Sequence, residues 1–180
     1  MSKVVKIAAV IAGVLAFLIL VVPLFLSPTV SLKKDIEIKA PDSLVYALVS
    51  DFNRFNEWSP WYEMEPGAAT SIAGEPGQVG HKYSWEGDKV GSGTMEITRV
   101  APDSAVDILL YFREEPKPAR ADWKLTPYGN GVRATWYFSS EMGYPFGRIM
   151  GLMMEKFLGP DYEKGLRNLK RVAEKEAGQM

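Results

Sequence analysis

A two-residue alternation of large apolar and polar side chains runs through most of residues 81–142, and it restricts the fold more than any other feature of the chain. In HKYSWEG, His81, Tyr83 and Trp85 share one side while Lys82, Ser84 and Glu86 take the other. In AVDILLYF, Val106, Ile108, Leu110 and Phe112 oppose Asp107 and Tyr111. ARADWKL sets Ala121, Trp123 and Leu125 against Arg120, Asp122 and Lys124, and VRATWYF groups Ala134, Trp136 and Phe138. Successive side chains of a strand point to opposite faces, so each segment reads as a strand with one buried face. GSGTMEITRVA adds another strand. The breaks between them (Gly-Asp-Lys, Ala-Pro-Asp, Glu-Pro-Lys-Pro and Tyr-Gly-Asn-Gly) are short and rich in turn residues, as connections between antiparallel neighbours are.

A sheet with one apolar face needs a cover. VSLKKDIEIKA reads as a first strand, ended by Pro41. PDSLVYALVSD predicts a helix with Leu44, Val45, Leu48 and Val49 on one face, and FNRFNEWSPW another helical turn or two that Pro60 stops. Residues 66–80 are loop-rich, with a short strand expected around Ser71–Ala73. The chain closes with a helical stretch from Pro145 to about Lys175, with a break expected at Gly159-Pro160. Tyr162, Leu166, Leu169, Val172 and Ala173 form an apolar stripe along it. The order predicts an α+β fold in which the last helix covers the sheet, and the space between them is either core or cavity.

The N-terminus is of another kind. IAAVIAGVLAFLILVVPLFL, residues 7–26, carries no charge and as a helix is about 30 Å long, enough to cross a bilayer's hydrocarbon layer. A cleaved signal peptide has a shorter apolar region and small residues at its cleavage site, where this chain has PLFLSPTV. Residues 1–26 therefore read as a single transmembrane anchor, 27–31 as a linker of at most about 17 Å, and 32–176 as one domain. Lys33, Lys34 and Lys39 follow the span as Lys3 and Lys6 precede it, so charge alone does not orient it. A short basic start leaves the N-terminus in the cytoplasm, and the expectation is an inner (cytoplasmic) membrane protein whose domain lies on the non-cytoplasmic side.

Composition excludes several chemistries. There is no cysteine and one histidine, His81, which leaves no thiolate or histidine-rich metal site and no inferable Ser-His-Asp set. Of 21 Lys and Arg, Lys3 and Lys6 precede the span, leaving 19 against 22 Asp and Glu; no basic face for nucleic acid is expected. GDKVGSG lacks the Lys-Ser/Thr that completes a phosphate loop and reads as a hairpin. Neither a cofactor nor a catalytic set is expected. What remains is aromatic: FNEWSPWYEMEP, residues 55–66, concentrates Phe55, Trp58, Trp61 and Tyr62 in a Pro-broken stretch, close to Glu57, Glu63 and Glu65. Buried indole and phenol groups need polar partners, which suits a semi-wet pocket, although tryptophans also fill ordinary cores. IMGLMMEKFL adds flexible methionines on the covering helix.

Four passages carry a family resemblance: IEIKAPDSLVYALVSDFNRFNEWSPW, VGHKYSWEGDKVGSGTMEI, GVRATWYFS and MEKFLGPDYEKGLRNLK. From about Val30 to about Glu176 the chain resembles the START-like (SRPBCC) superfamily, in particular its polyketide cyclase/dehydrase and lipid transport branch. The resemblance implies a helix-grip fold, a seven-stranded antiparallel sheet wrapped around the C-terminal helix and enclosing an apolar tunnel. It also implies that Trp58 and Trp61 stand at a mouth or wall of that tunnel. It carries no catalytic residues over to this chain, because the fold hosts many functions.

The expected function is a membrane-tethered module that holds a hydrophobic small molecule, lipid or isoprenoid-like. Trp58, Trp61, Tyr83, Trp85, Trp123, Trp136, Met150, Met153 and Met154 would line its cavity. Two other readings stand beside it: a cyclase or dehydratase using pocket carboxylates or His81, and a solid-cored interaction domain.

Overall fold

The computed structural model describes residues 3–113 and 115–179. Helix α1 (Lys3–Leu20) ends in a 3₁₀ turn (Val22–Phe25), and strand β1 opens at Thr29, inside the stretch read as linker, and runs to Ile38. Helix α2 (Asp42–Ser50), a 3₁₀ turn (Phe55–Glu57) and helix α3 (Pro60–Met64) follow. Strands β2 (Ala69–Ala73), β3 (Lys82–Gly87), β4 (Gly91–Ala101), β5 (Ala105–Phe112), β6 (Ala119–Arg120), β7 (Trp123–Tyr128) and β8 (Gly131–Glu141) complete the sheet. Helices α4 (Phe146–Gly151) and α5 (Met154–Ala177) close the chain.

Among the described residues the sheet is antiparallel, ordered β1-β8-β6-β5-β4-β3-β2, with β7 also between β5 and β8. The expected count of seven becomes eight because ARADWKLTPY is divided into β6 and β7. The division is slight: Leu109 pairs with Arg120 and Val106 with Trp123, a constant register, and Ala121 still donates its N–H to the Ile108 carbonyl. The Asp122 carboxylate accepts the Ile108 N–H, taking the place of a ladder carbonyl. β6 and β7 are thus one strand interrupted by a side chain, and the fold is a helix grip.

The predicted alternation holds in space. Ala121, Trp123 and Leu125, with Ala134, Trp136 and Phe138, are buried on the face toward α5. On α2 the predicted Leu44, Val45, Leu48 and Val49 are buried, and on α5 so are Tyr162, Leu166, Leu169 and Ala173. Burying each large aliphatic side chain is worth about 1.5–3 kcal/mol, and this two-sided apolar contact holds the helices on the sheet.

Two prolines behave differently from the sequence reading. Pro60 starts α3 rather than stopping a helix: it occupies the first turn, where its missing N–H has no intrahelical acceptor to lose, and the Ser59 hydroxyl caps Tyr62 N–H. Pro160 lies inside α5, which is not broken there. Lys34 reaches from β1 to Glu155 at 3.2 Å and Glu163 at 3.0 Å, clamping α5 on both sides of the Gly159-Pro160 step. The break falls instead at Leu152–Met153, between α4 and α5.

Candidate functional site: an apolar cavity under the C-terminal helix

Between the sheet and α5 lies a cavity of about 190 Å³. The α3 region supplies Phe55, Ser59, Trp61 and Tyr62 to its wall; β3 supplies Tyr83 and Trp85, β4 Met95, and β5 Leu110 and Phe112. Phe138 of β8 and Leu158 and Tyr162 of α5 close it, and Glu65, Thr70 and Val90 stand toward its rim. A second void of about 40 Å³ continues beneath it, sharing Phe55, Trp61, Met95, Leu110 and Tyr162 and adding Trp58, Trp123 and Trp136. The main cavity exceeds the space of a few waters, which removes the basis of the solid-core reading.

The sheet register fixes the end of the sheet at which the more exposed wall residues stand. Trp85 pairs with Gly93 and Thr70, Gly93 with Phe112, and Met142 donates its N–H to Pro28. Thr70, Trp85 and Phe112 therefore stand at the sheet end where β1 begins and α1 is joined. Locally the sequence makes room for the wall. A Cβ at Gly93 would lie 2.6 Å from the Trp85 ring, so only glycine lets this indole lie flat across its neighbour strand, where its N–H reaches the Val90 carbonyl at 3.2 Å.

The nine residues expected to line a cavity separate into three groups. Trp61, Tyr83 and Trp85 are in the wall. Trp58, Trp123 and Trp136 form the floor beneath it, each at most 3% exposed. Trp136 stacks on Trp123 at 4.6 Å and on Tyr162 at 4.0 Å, and Trp58 meets both tryptophans edge-on while its N–H donates to the Leu48 carbonyl. Met150 and Met153 lie outside the cavity on the surface, and Met154 packs against the core edge without reaching the wall of either void. The cause is the break before α5: α4 turns its glycines inward, with Gly147 and Gly151 against Met142, so its one methionine, Met150, faces out, and Met153 falls in the break itself.

Phe55, Met95, Leu110, Phe112, Phe138, Leu158 and Tyr162 are wall residues absent from the expected set. The alternation had already put Leu110, Phe112 and Phe138 on the inner face, and the helical stripe had included Tyr162.

Three titratable groups of the wall, Glu65, Tyr83 and Tyr162, are shifted from their ordinary values. Glu65 accepts backbone N–H groups from Lys89, Val90 and Asp88 at 2.8–3.0 Å, and those of Lys89 and Val90 above all hold its carboxyl below the usual range. Burial pushes the Tyr83 phenol up, and its hydroxyl donates to Asn56 Oδ1 at 2.9 Å. Burial raises Tyr162 further. His81, just before β3, lines neither void; it is fully buried and stacked on Phe52. Its Nε2 accepts the Phe52 N–H at 2.9 Å, and Nδ1 faces the Ala73 and Gly74 carbonyls, so the ring is a structural bridge and cannot serve as the pocket base. Among the described residues no group of three His, Cys, Asp or Glu is placed to hold a metal ion.

Comparison with known proteins agrees with this geometry. A family model described as polyketide cyclase/dehydrase and lipid transport matches residues 29–174. No curated protein matches. Among solved structures, a protein of unknown function from Staphylococcus aureus superposes with a TM-score of 0.66 at 13% identity, over 84% of this chain and 97% of that one. The Aha1 dimer from Colwellia psychrerythraea gives a TM-score of 0.57 at 17% identity, over 81% of this chain and 96% of the other. The di-domain ARO/CYC StfQ of the steffimycin biosynthetic pathway gives 0.61 at 14% identity; 83% of this chain covers 52% of StfQ. At these identities the likeness is one of fold.

Proposed function

The chain belongs to the polyketide cyclase/dehydrase and lipid transport family, and from that premise we propose that it is a binding module for a hydrophobic small molecule, tethered to a membrane by α1. The observation that carries this reading is the apolar cavity of about 190 Å³ between sheet and α5. Apolar cavities of about 150 Å³ take up a molecule the size of benzene. This one accommodates a ring system or a short stretch of chain, so the ligand is an isoprenoid-like or single-chain lipid molecule of which one apolar limb enters. A helix near the N-terminus, Lys3–Phe25, long and apolar enough to cross a membrane, supports the tether. Lys3 and Lys6 ahead of it support an N-terminus in the cytoplasm and a domain outside. The cyclase reading draws on the fold shared with StfQ, but it requires an acid or base in the cavity that titrates near neutrality. Glu65, Tyr83 and Tyr162 are held away from that range.

The test is native mass spectrometry with lipid extraction on the full chain purified from membranes. We expect an apolar adduct on the wild type, kept by Tyr111→Trp on the outer sheet face and lost in Leu110→Trp, which fills the cavity from the adjacent position. A clean apo mass, with no uptake from a panel of single-chain lipids and isoprenoids, would sink the reading.

A further inference from the structure

Apart from Val4–Phe25, exposed large apolar side chains are densest in the segment from Tyr144 to Phe157, outside the cavity. Phe146 is 66% exposed, Leu152 69%, Phe157 55%, Met150 52% and Met153 40%, and no residue of α4 is buried. Large apolar side chains exposed together along one short segment mark a contact site. Its position says with what. The Tyr144 hydroxyl donates to the carbonyl of Leu20, the last residue of α1, and Arg148 Nη1 donates to the Pro23 carbonyl at 3.0 Å. The Leu20 carbonyl is one that the end of a helix leaves without an intrahelical partner and that would be costly to bury unpaired in lipid, whereas the Pro23 carbonyl also accepts the Leu26 N–H at 3.3 Å. The patch is thereby fixed beside the last turn of the apolar segment.

Helix length then sets the depth. The 18 residues of α1 rise about 27 Å, slightly less than the roughly 30 Å of a bilayer's hydrocarbon core. If Lys3 marks one boundary, Val22–Phe25 reaches the other, and whatever is bonded to Leu20 and Pro23 lies at the interface. An apolar face with a tyrosine and an arginine at its edge is the composition of an interfacial helix. Resting on the tethered reading, we propose that α4 and the first turn of α5 form a second membrane contact. Phe146, Met150, Leu152, Met153 and Phe157 enter the interface of the bilayer that α1 crosses, which holds the cavity's rim against the lipid surface.

The chain has no cysteine, so single-cysteine variants carry one fluorophore each. The full chain is reconstituted in phosphatidylethanolamine/phosphatidylglycerol vesicles with an environment-sensitive dye at Met150→Cys, Phe157→Cys, Leu15→Cys within α1, or Asn130→Cys at the far end of the sheet. We expect dyes at 150 and 157 to shift to the blue, to lose intensity to nitroxides near the lipid headgroup and to resist aqueous iodide. The dye at 130 should respond only to iodide, and the dye at 15 to nitroxides deep in the acyl chains. Dyes at 150 and 157 that respond to iodide like the one at 130, with the dye at 15 still lipid-exposed, overturn the docking surface and leave the tether standing. Shielding from both quenchers overturns it in favour of a protein cover. A dye at 15 open to iodide overturns the tether and this proposal with it.

Discussion

Glu65 shows how one side chain joins the cavity rim to the fold. Its carboxylate accepts N–H groups of Asp88, Lys89 and Val90, organising the β3–β4 turn that carries the rim residue Val90. The bonds favour the ionised form and hold its pKa below 4.5, its ordinary value. A depressed folded-state pKa adds stability that is fully present above the unfolded value and is lost as pH falls through the folded one. The melting temperature of wild type is therefore expected to exceed that of Glu65→Gln at pH 6–7, with the gap narrowing below about pH 4. A gap independent of pH would show that the carboxylate's charge has no part in holding the turn. His81 teaches the complementary lesson: as the lone histidine it draws attention as a catalytic candidate, yet both ring nitrogens are occupied by backbone groups.

At the scale of elements, α5 is placed by what it lacks at Gly165. A Cβ there would lie 2.9 Å from the Trp136 ring and 3.2 Å from the Pro60 ring. Neither neighbour gives easily, since Trp136 is stacked between Trp123 and Tyr162 and Pro60 opens α3. Gly165→Ala gains about 1 kcal/mol of helix propensity but incurs overpacking of about 1–3 kcal/mol. A net loss of about 1 kcal/mol is expected in chemical denaturation; a stabilised variant would mean that α5 shifts freely on the sheet. The same element explains the sequence reading of Pro160. Two carboxylates on Lys34 and the buried stripe outweigh one absent backbone hydrogen bond, a balance visible only once β1 and α5 are side by side.

For the whole molecule, the exposed wall residues of the cavity and the apolar segment at the N-terminus share one end of the sheet, so in the proposed reading binding and tethering are matters of a single region. A ligand that binds the folded chain alone stabilises it by RT ln(1 + [L]/Kd), about 2.7 kcal/mol at a hundredfold excess over Kd. A ring-sized apolar probe such as naphthalene is expected to raise the melting temperature of the full chain in detergent and to leave Leu110→Trp unmoved. Equal shifts in both would place the probe outside the cavity.

The sequence by itself determined the α+β order, the inner faces of the strands, the stripe of α5 and the apolar N-terminal segment. Each is a periodicity of 2 or 3.6 residues or an uninterrupted run, and a local pattern needs no partner to be read. Which inner-face residues stand around empty space was a tertiary matter. Trp123 and Trp85 alternate alike in sequence, but one is stacked under Trp136 and the other lies over Gly93 at the rim. Likewise Met150 and Met154 have the same chemistry four residues apart. The break between α4 and α5, and the glycines that α4 presses on Met142, send the first to the surface and leave the second at the core's edge.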